Sequence, residues 1–436
     1  MTNQTITAFA LATPNGGETN QILGAFKAIS ELTGDIYDFE NSFLLPEGTN
    51  NYKEIREKLK FSDFTSYTAF KKEAYNLLNN YMQKVDIIPQ IFITAYNQGE
   101  NALAGSNVDA ICRVIKEYYE ENKLGHIVTT VLTSKLHKYK YVDLVNIPKH
   151  LMTLNGRIRI LQHKSIKKRV LITKGTINNF SRKNVKNKNK EFLQLIAKYK
   201  NNSDLSAQIN KLSNFINASK RIVFCLGGRV DGNEIIFDVN YANKLYKDAQ
   251  KLAQKGYYII FTNGPRTPND VTNFLYEQSL TSPNIIFQNS KQIAQNDEDR
   301  SHKRWRVYSG KYEEEFKILA QIGNIYPAVL GFDNTLVVHT LDSYSSCETA
   351  NAAIPTAISS KGIYVDPNLR YDCHNLQKLL CPKYAVDWDD FFNMAINMNI
   401  EPKDLNPQVL SSPLRVFAET CLNRILQANA RQKRKK

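Results

Sequence analysis

Short runs of β-branched and aromatic residues alternate along this chain with longer stretches whose apolar positions recur every three or four residues. Residues 6–11 (ITAFAL) are the first such run. It ends at Thr13-Pro14-Asn15-Gly16-Gly17, and a helix opens at Glu18-Thr19-Asn20-Gln21 and closes near Gly34. Pro, Asn and Gly punctuate buried strands of this length. The same pattern predicts strands over 87–95, 126–131, 142–147 and 169–173, with a helix over about 107–120. Residues 183–217 read as a basic linker and helix, and the alternation restarts at Arg221. Strands then follow over 221–226, 257–262, 285–287, 334–340 and 356–358, separated by helices over about 240–255 and 269–279. A final helical region covers about 387–430.

Strand–helix alternation of this kind predicts parallel sheets joined by right-handed crossovers. The expected fold class is α/β, with two facing Rossmann-like, doubly wound domains and a C-terminal helical extension. The expected division is an N-terminal domain over 1–182, a basic linker and helix over 183–220, a second domain over 221–386, and C-terminal helices with a basic tail over 387–436. In such sheets ligands bind at the carboxyl ends of the strands, and here also between the domains.

The stretch from Gly323 to Ile358 is the richest in candidate chemistry. A β-branched run, NTLVVHT, leads into Asp342-Ser343, both good helix caps. A small-residue helix start, SSCETANAA, follows and carries one acid, Glu348. Backbone N–H groups and the hydroxyls of Ser343, Ser345 and Ser346 at a helix N-terminus make a site suited to phosphate. Glu348, one to two turns in, reaches a ribose hydroxyl. The plainer alternative is that Asp342 and Ser343 only cap a helix and Glu348 is solvated.

Bulk properties narrow the class. The 436 residues suit two large domains or three smaller ones, and 42% hydrophobic content with 23 Tyr and 21 Phe supplies real cores rather than disorder. The six Cys form no CxxC pair and no Cys/His metal spacing, which argues against a zinc site and for reduced thiols in a cytosol. The start lacks a basic n-region, and no run of 18 or more apolar residues follows, so the expected localisation is cytoplasmic, with peripheral association on the inner face of a membrane. The net charge of +15 is concentrated in residues 163–200 and in the closing RQKRKK. Such patches attract phosphates of nucleic acid or of an anionic membrane face. The abundance of Lys, Asn and Ile throughout is an alternative source of that charge, and no nucleic-acid module is recognisable, so nucleic acid is the least favoured partner. There is also no GxSxG, P-loop GK[ST] or HExxH.

Several turns, taken in order, resemble the mitochondrial fission family named for its elongated-mitochondria phenotype, which has many bacterial members. These are GGETNQILG at 16–24, DLVNIPKH at 143–150, VLITKGTINNFSRKNV at 170–185, LGG at 226–228, PRTP at 265–268 and the block from Asn324 to Pro355. The similarity spans about residues 5–360. The turn before Arg266 reads NGP, where the family tends to have a serine and another arginine, and residues 40–80 and the last 70 or so look like additions. The resemblance implies the two-domain GT-B fold of nucleotide-sugar glycosyltransferases. It also implies a second possibility, because the family's plant member recruits a dynamin-like protein to mitochondria.

On that reading the chain is a metal-independent, glycosyltransferase-like enzyme that uses a nucleotide sugar on an envelope or lipid-linked acceptor and needs no cofactor. Helix N-termini and basic side chains neutralise a leaving diphosphate. Arg266, with Thr267 beside it, would supply a forked charge to the diphosphate, or else brace its turn. Gly16-Gly17 and Gly227-Gly228 would let backbone approach a ligand, although tight turns need glycine anyway. Glu18 or His150, on the first domain, would be the base that deprotonates an acceptor hydroxyl; a core or surface role is the alternative for each. The expected partners are a nucleotide sugar, an anionic membrane surface and a protein partner. The competing readings are a catalytically silent recruitment module and a nucleic-acid-binding protein.

Overall fold

The computed structural model describes residues 6–11, 16–34, 44, 66–96, 104–133, 136, 139–152, 154–178, 180–199, 206–227, 235–264, 267–288, 326–340, 343–359, 364–365, 376–406, 408, 410 and 413–433. The chain divides into two compact units, 1–179 with 411–436, and 180–410.

The first unit opens with β1 (Ala8–Leu11), α1 (Gly16–Thr33), α2 (Tyr67–Met82), β2 (Ile91–Tyr96), α3 (Ala104–Glu121) and β3 (Val128–Thr133). It continues with β4 (Leu144–Pro148), α4 (Leu154–Gln162), α5 (Lys164–Lys167) and β5 (Val170–Thr173). The five strands lie in the order β1-β2-β3-β4-β5, every neighbouring pair parallel. Leu44 N–H donates to Ala10 O at 2.8 Å, so the chain also visits the outer edge of β1 before crossing to β2 on its other side. Alternation along β1 separates two cores: Phe9 and Leu11 join the cluster with α2 and α3, whereas Ala8 and Ala10 join the cluster with α1. Ser66 caps α2 by accepting from Ala69 N–H at 3.2 Å.

The second unit holds α6 (Arg182–Tyr199), α7 (Ser206–Asn217), β6 (Lys220–Leu226), β7 (Ile235–Ile236), α8 (Val239–Gln254), β8 (Tyr257–Asn263), α9 (Asn269–Leu280) and β9 (Ile285–Gln288). After it come α10 (Tyr326–Val329), β10 (Thr335–His339), α11 (Ser343–Asn351), β11 (Thr356–Ile358), β12 (Tyr364–Val365), β13 (Val386–Asp387) and α12 (Trp388–Met398). Its main sheet runs β13-β11-β10-β6-β8-β9, all parallel, while β7 and β12 form a separate antiparallel pair. Counted by order of appearance, the six strands read 6-5-4-1-2-3, which is the doubly wound arrangement of dinucleotide-binding domains. Here too alternation splits the core, with Ile222, Phe224 and Leu226 on one face and Val223 and Cys225 on the other.

Each unit is therefore a parallel α/β sheet with helices on both faces, and the two sheets are separate. Residues 183–220, expected as a basic linker and helix, are occupied by α6, α7 and the start of β6. The polar composition of α6 hides a sparse apolar stripe: Val185, Phe192 and Ile196 are buried against Leu212, Phe215 and α10. Its lysines stay outside the core, with Lys186 paired to Asp333 at 2.7 Å and Lys188 to Glu191 at 2.6 Å. The expected C-terminal stretch, 387–436, divides. Asp387 caps α12, whose Trp388 and Phe391 pack in the second unit. The last helix, α13 (Pro413–Lys433), belongs to the first unit and places Phe417, Ala418, Cys421 and Ile425 against α1 and the sheet.

Candidate functional site

In an open parallel sheet the loops separate, and leave room for a ligand, where the strand order reverses. In the second unit this point lies between β6 and β10, which pair from Thr335↔Arg221 to His339↔Cys225. Three loops meet at the carboxyl ends there. Gly227, just after β6, donates its N–H to Thr340 Oγ1 at 2.6 Å. Thr267, in the turn after β8, directs its hydroxyl at Leu226 O and Gly227 O, both at 3.0 Å, and accepts from Gly264 N–H at 2.9 Å. The hydroxyls of Thr340 and Thr267 thus clasp β6, β8 and β10 at their ends.

This clasp explains the glycine. A Cβ at position 227 would lie 2.1 Å from Thr340 O. The tight approach that the sequence suggested for a ligand is used within the protein, between neighbouring strand ends. Thr267 is likewise 1% exposed and engaged with backbone.

Three residues beyond Thr340, α11 begins at Ser343. It is nine residues long and anchored to its strand. His339 Nε2 lies 3.0 Å from Thr349 Oγ1, and Thr349 Oγ1 donates to Ser346 O at 3.1 Å. Ser346 is fully buried and Glu348 is 7% exposed. A buried carboxylate in the second turn of a helix is costly unless it is partnered, so Glu348 is not the solvated acid of the plainer alternative. Ser343 and Ser345 lie within α11, but their side chains are outside the described residues, as are Asp342, Gly228 and Arg266 altogether.

The carboxyl ends of the first sheet are also polar. Asn146 on β4 donates to Thr173 Oγ1 on β5 at 3.2 Å, and Thr173 in turn donates to Gly175 O at 3.0 Å. Asn178 is buried against α1, where a Cβ at Gly24 would lie 2.5 Å from the Asn178 carbonyl. The third glycine of GGETNQILG therefore serves close packing of helix on loop. Gly16 and Gly17 start α1 rather than precede it, and Glu18 sits in its first turn with its side chain outside the described residues.

His150 follows β4 directly, in a short turn of 3-10 helix over Lys149–Leu151. It is 2% exposed, and neither ring nitrogen has a hydrogen-bond partner among the described residues. Burial alone pushes its pKa down to about 4, so the ring is neutral at neutral pH. Thr176 Oγ1, past the adjoining strand β5, is also buried and unpartnered. An uncharged imidazole with both nitrogens unused is available for a hydroxyl or a water, though at this pKa it is a weak base.

Sequence reasoning missed Thr340 and Thr349 as the fasteners of the site, and it missed Gln288. At the carboxyl end of β9, Gln288 is 1% exposed and both of its amide atoms lack partners. Nothing in a threonine or glutamine at a strand end announces such a role; only the pairing of neighbouring strands shows it. Among the described residues no group of three His, Cys, Asp or Glu could hold a metal ion, and no helix is long and apolar enough to cross a membrane.

No family model matches the chain, and no curated protein matches it. The resemblance to the mitochondrial fission family accordingly finds no support in these comparisons. Solved structures do match over nearly the whole length. The UDP-GlcNAc 2-epimerase of Methanocaldococcus jannaschii is 11% identical, with 97% of this chain and 99% of that one covered and a TM-score of 0.44. The S. aureus MnaA–UDP co-structure is 10% identical, covering 96% and 95%, with a TM-score of 0.40. The MurG of Acinetobacter baumannii is 10% identical, covering 98% and 100%, with a TM-score of 0.37. The doubly wound form of the second unit stands on its own strand order, and the first sheet carries helices on both faces, independent of these likenesses.

Proposed function

We propose that the chain is a glycosyltransferase-like protein of the GT-B kind that binds a nucleotide sugar in its second unit. The observation that carries this reading is the strand reversal between β6 and β10, with α11 starting three residues beyond the clasping Thr340. That arrangement leaves the first N–H groups of α11 directed at a ligand, and it fixes them rigidly through His339 and Thr349. In this reading the phosphates lie over residues 342–346, Glu348 accepts from the ribose hydroxyls, and Arg266 meets the diphosphate. The clasp residues Gly227 and Thr267 shape the cradle rather than touch the ligand. No metal is required, because the helix N-terminus and Arg266 neutralise the leaving diphosphate. The acceptor is an envelope or lipid-linked molecule, and the basic surface holds the protein at an anionic membrane. His150 then orients the acceptor hydroxyl rather than deprotonating it at neutral pH, since its ring titrates near 4.

A thermal-shift screen against UDP-, GDP- and CMP-type ligands tests the reading. A ligand present at 100 times its dissociation constant adds about 2.7 kcal/mol of stability. Glu348→Gln should weaken the best ligand by about tenfold or more, as expected for loss of a charged hydrogen bond worth roughly 1.5–3 kcal/mol. If no nucleotide raises the melting temperature, the nucleotide reading fails. If one binds but Glu348→Gln leaves its affinity unchanged in a variant as stable as the parent, the proposed binding mode fails. The recruitment-module reading, which the fission-family motifs suggest, would then take its place.

A further inference from the structure

The crossover from β4 to β5 carries features that neither the core nor the carboxyl ends of the sheet use. Helix α4 turns Ile160 inward, 8% exposed. It presents Ile158 and Leu161 outward at 41% and 76%, and no other large apolar side chain among the described residues is as exposed as Leu161. The i, i+3 spacing places these two on one side of the helix. The chain around them is purely basic. Residues 144–181 contain eight Lys or Arg and no Asp or Glu. His163, Lys164, Lys167 and Lys168 are all exposed, and none of the three lysines forms an ion pair with a described acid.

The fold adds a second basic segment to this one. Arg424 on α13 donates to the carbonyl oxygen of Lys168. The closing sequence RQKRKK begins seven residues later, about 10 Å further along the same helix. Arg424 thus ties α13, the helix that leads into the second basic sequence, to the Lys168 end of the crossover.

We propose that the α4–α5 crossover, with the adjoining end of α13, is a docking face for an anionic lipid bilayer. Ile158 and Leu161 enter the headgroup–acyl boundary, while Lys164, Lys167, Lys168 and the tail meet lipid phosphates. The apolar pair decides against nucleic acid, whose phosphates offer it nothing. The unpaired cations decide against a second copy of this chain, because a two-fold contact would set the lysines of both copies against one another. This face gives the membrane part of the proposed function a location, but its test uses no nucleotide and so fails or succeeds separately.

The test is co-sedimentation of the full chain with phosphatidylcholine vesicles, with and without phosphatidylglycerol. Binding is expected only to vesicles containing phosphatidylglycerol, and it should fall with added salt. Lys167→Glu with Lys168→Glu should lower the partition coefficient by at least about 25-fold, roughly fivefold for each cation removed. Leu161→Ser should lower it by about tenfold. All three positions are exposed, so melting temperatures should match the parent's, and deletion of 431–436 should weaken binding without abolishing it. Equal binding to neutral vesicles would overturn the proposal, as would indifference to both sets of substitutions or complete loss with the tail alone. A dimer in sedimentation equilibrium that either variant dissociates would overturn it in favour of a second copy.

Discussion

The carboxyl ends of the two sheets share a backbone plan but treat their polar groups in opposite ways. In the second unit, where the strand order reverses, the hydroxyls of Thr340 and Thr267 are consumed by the backbone of neighbouring loops. In the first, His150 and Thr176 are as deeply buried yet have no hydrogen-bond partner among the described residues. A satisfied clasp makes a stiff frame from which a helix N-terminus can be aimed; unsatisfied groups cost stability and persist where a ligand or water completes them. The threonines of the second unit hold neighbouring strand ends together, while the histidine of the first keeps both ring nitrogens open. Gln288 departs from this pattern, an unpartnered amide on the edge strand of the otherwise satisfied sheet.

Two glycines test the stiffness of both frames and should give the largest effects. Gly227→Ala puts a methyl group 2.1 Å from Thr340 O, and Gly24→Ala puts one 2.5 Å from Asn178 O. Backbone cannot yield cheaply at either place, so each should destabilise its own unit by about 3 kcal/mol. Urea unfolding followed by a probe in each unit would show this. A loss that appears equally in both units after either substitution would break the view of two independently built frames.

The pH dependence of the first unit should be nearly as large. The pKa of His150 is about 4 when folded, against 6.5 for an ordinary histidine. Above 6.5 the ring is neutral in both states and no proton favours either. As pH falls from 6.5 towards 4, the unfolded chain takes up a proton that the folded chain refuses, and stability drains away by about 3 kcal/mol. His150→Gln should flatten that part of the urea-midpoint profile against pH. An unchanged profile would show that the ring is solvated.

The smallest effect is expected from the clasp itself. Thr267→Val keeps the shape and removes the hydroxyl shared by Leu226 O, Gly227 O and Gly264 N. Destabilisation of about 2 kcal/mol follows if the carbonyls are left dry, and less if water replaces the hydroxyl. Hydrogen exchange of the Gly227 amide would sharpen the comparison further, because it should speed up in Thr340→Val even where global stability barely changes.

Much of this architecture is legible in the chain alone. The apolar runs placed every strand of both main sheets except β13 to within a few residues, since a strand buried on both faces must be almost continuously apolar, as Ala8–Leu11 is throughout and Lys220–Leu226 is after its first two residues. The start of α11 was legible for the same kind of local reason: cap residues and small side chains follow a β-branched run. Tertiary structure alone decided the rest. It turned a lysine-rich stretch into α6 by burying three of its apolar residues, a stripe too sparse to stand out in composition. It returned α13 to the first unit, because Phe417, Cys421 and Ile425 needed the face of α1. It also chose which polar residues became fasteners and which were left open. Local sequence fixes which residues are able to hydrogen-bond, but a partner 113 residues away, as Thr340 is from Gly227, exists only once parallel strands have been brought into register.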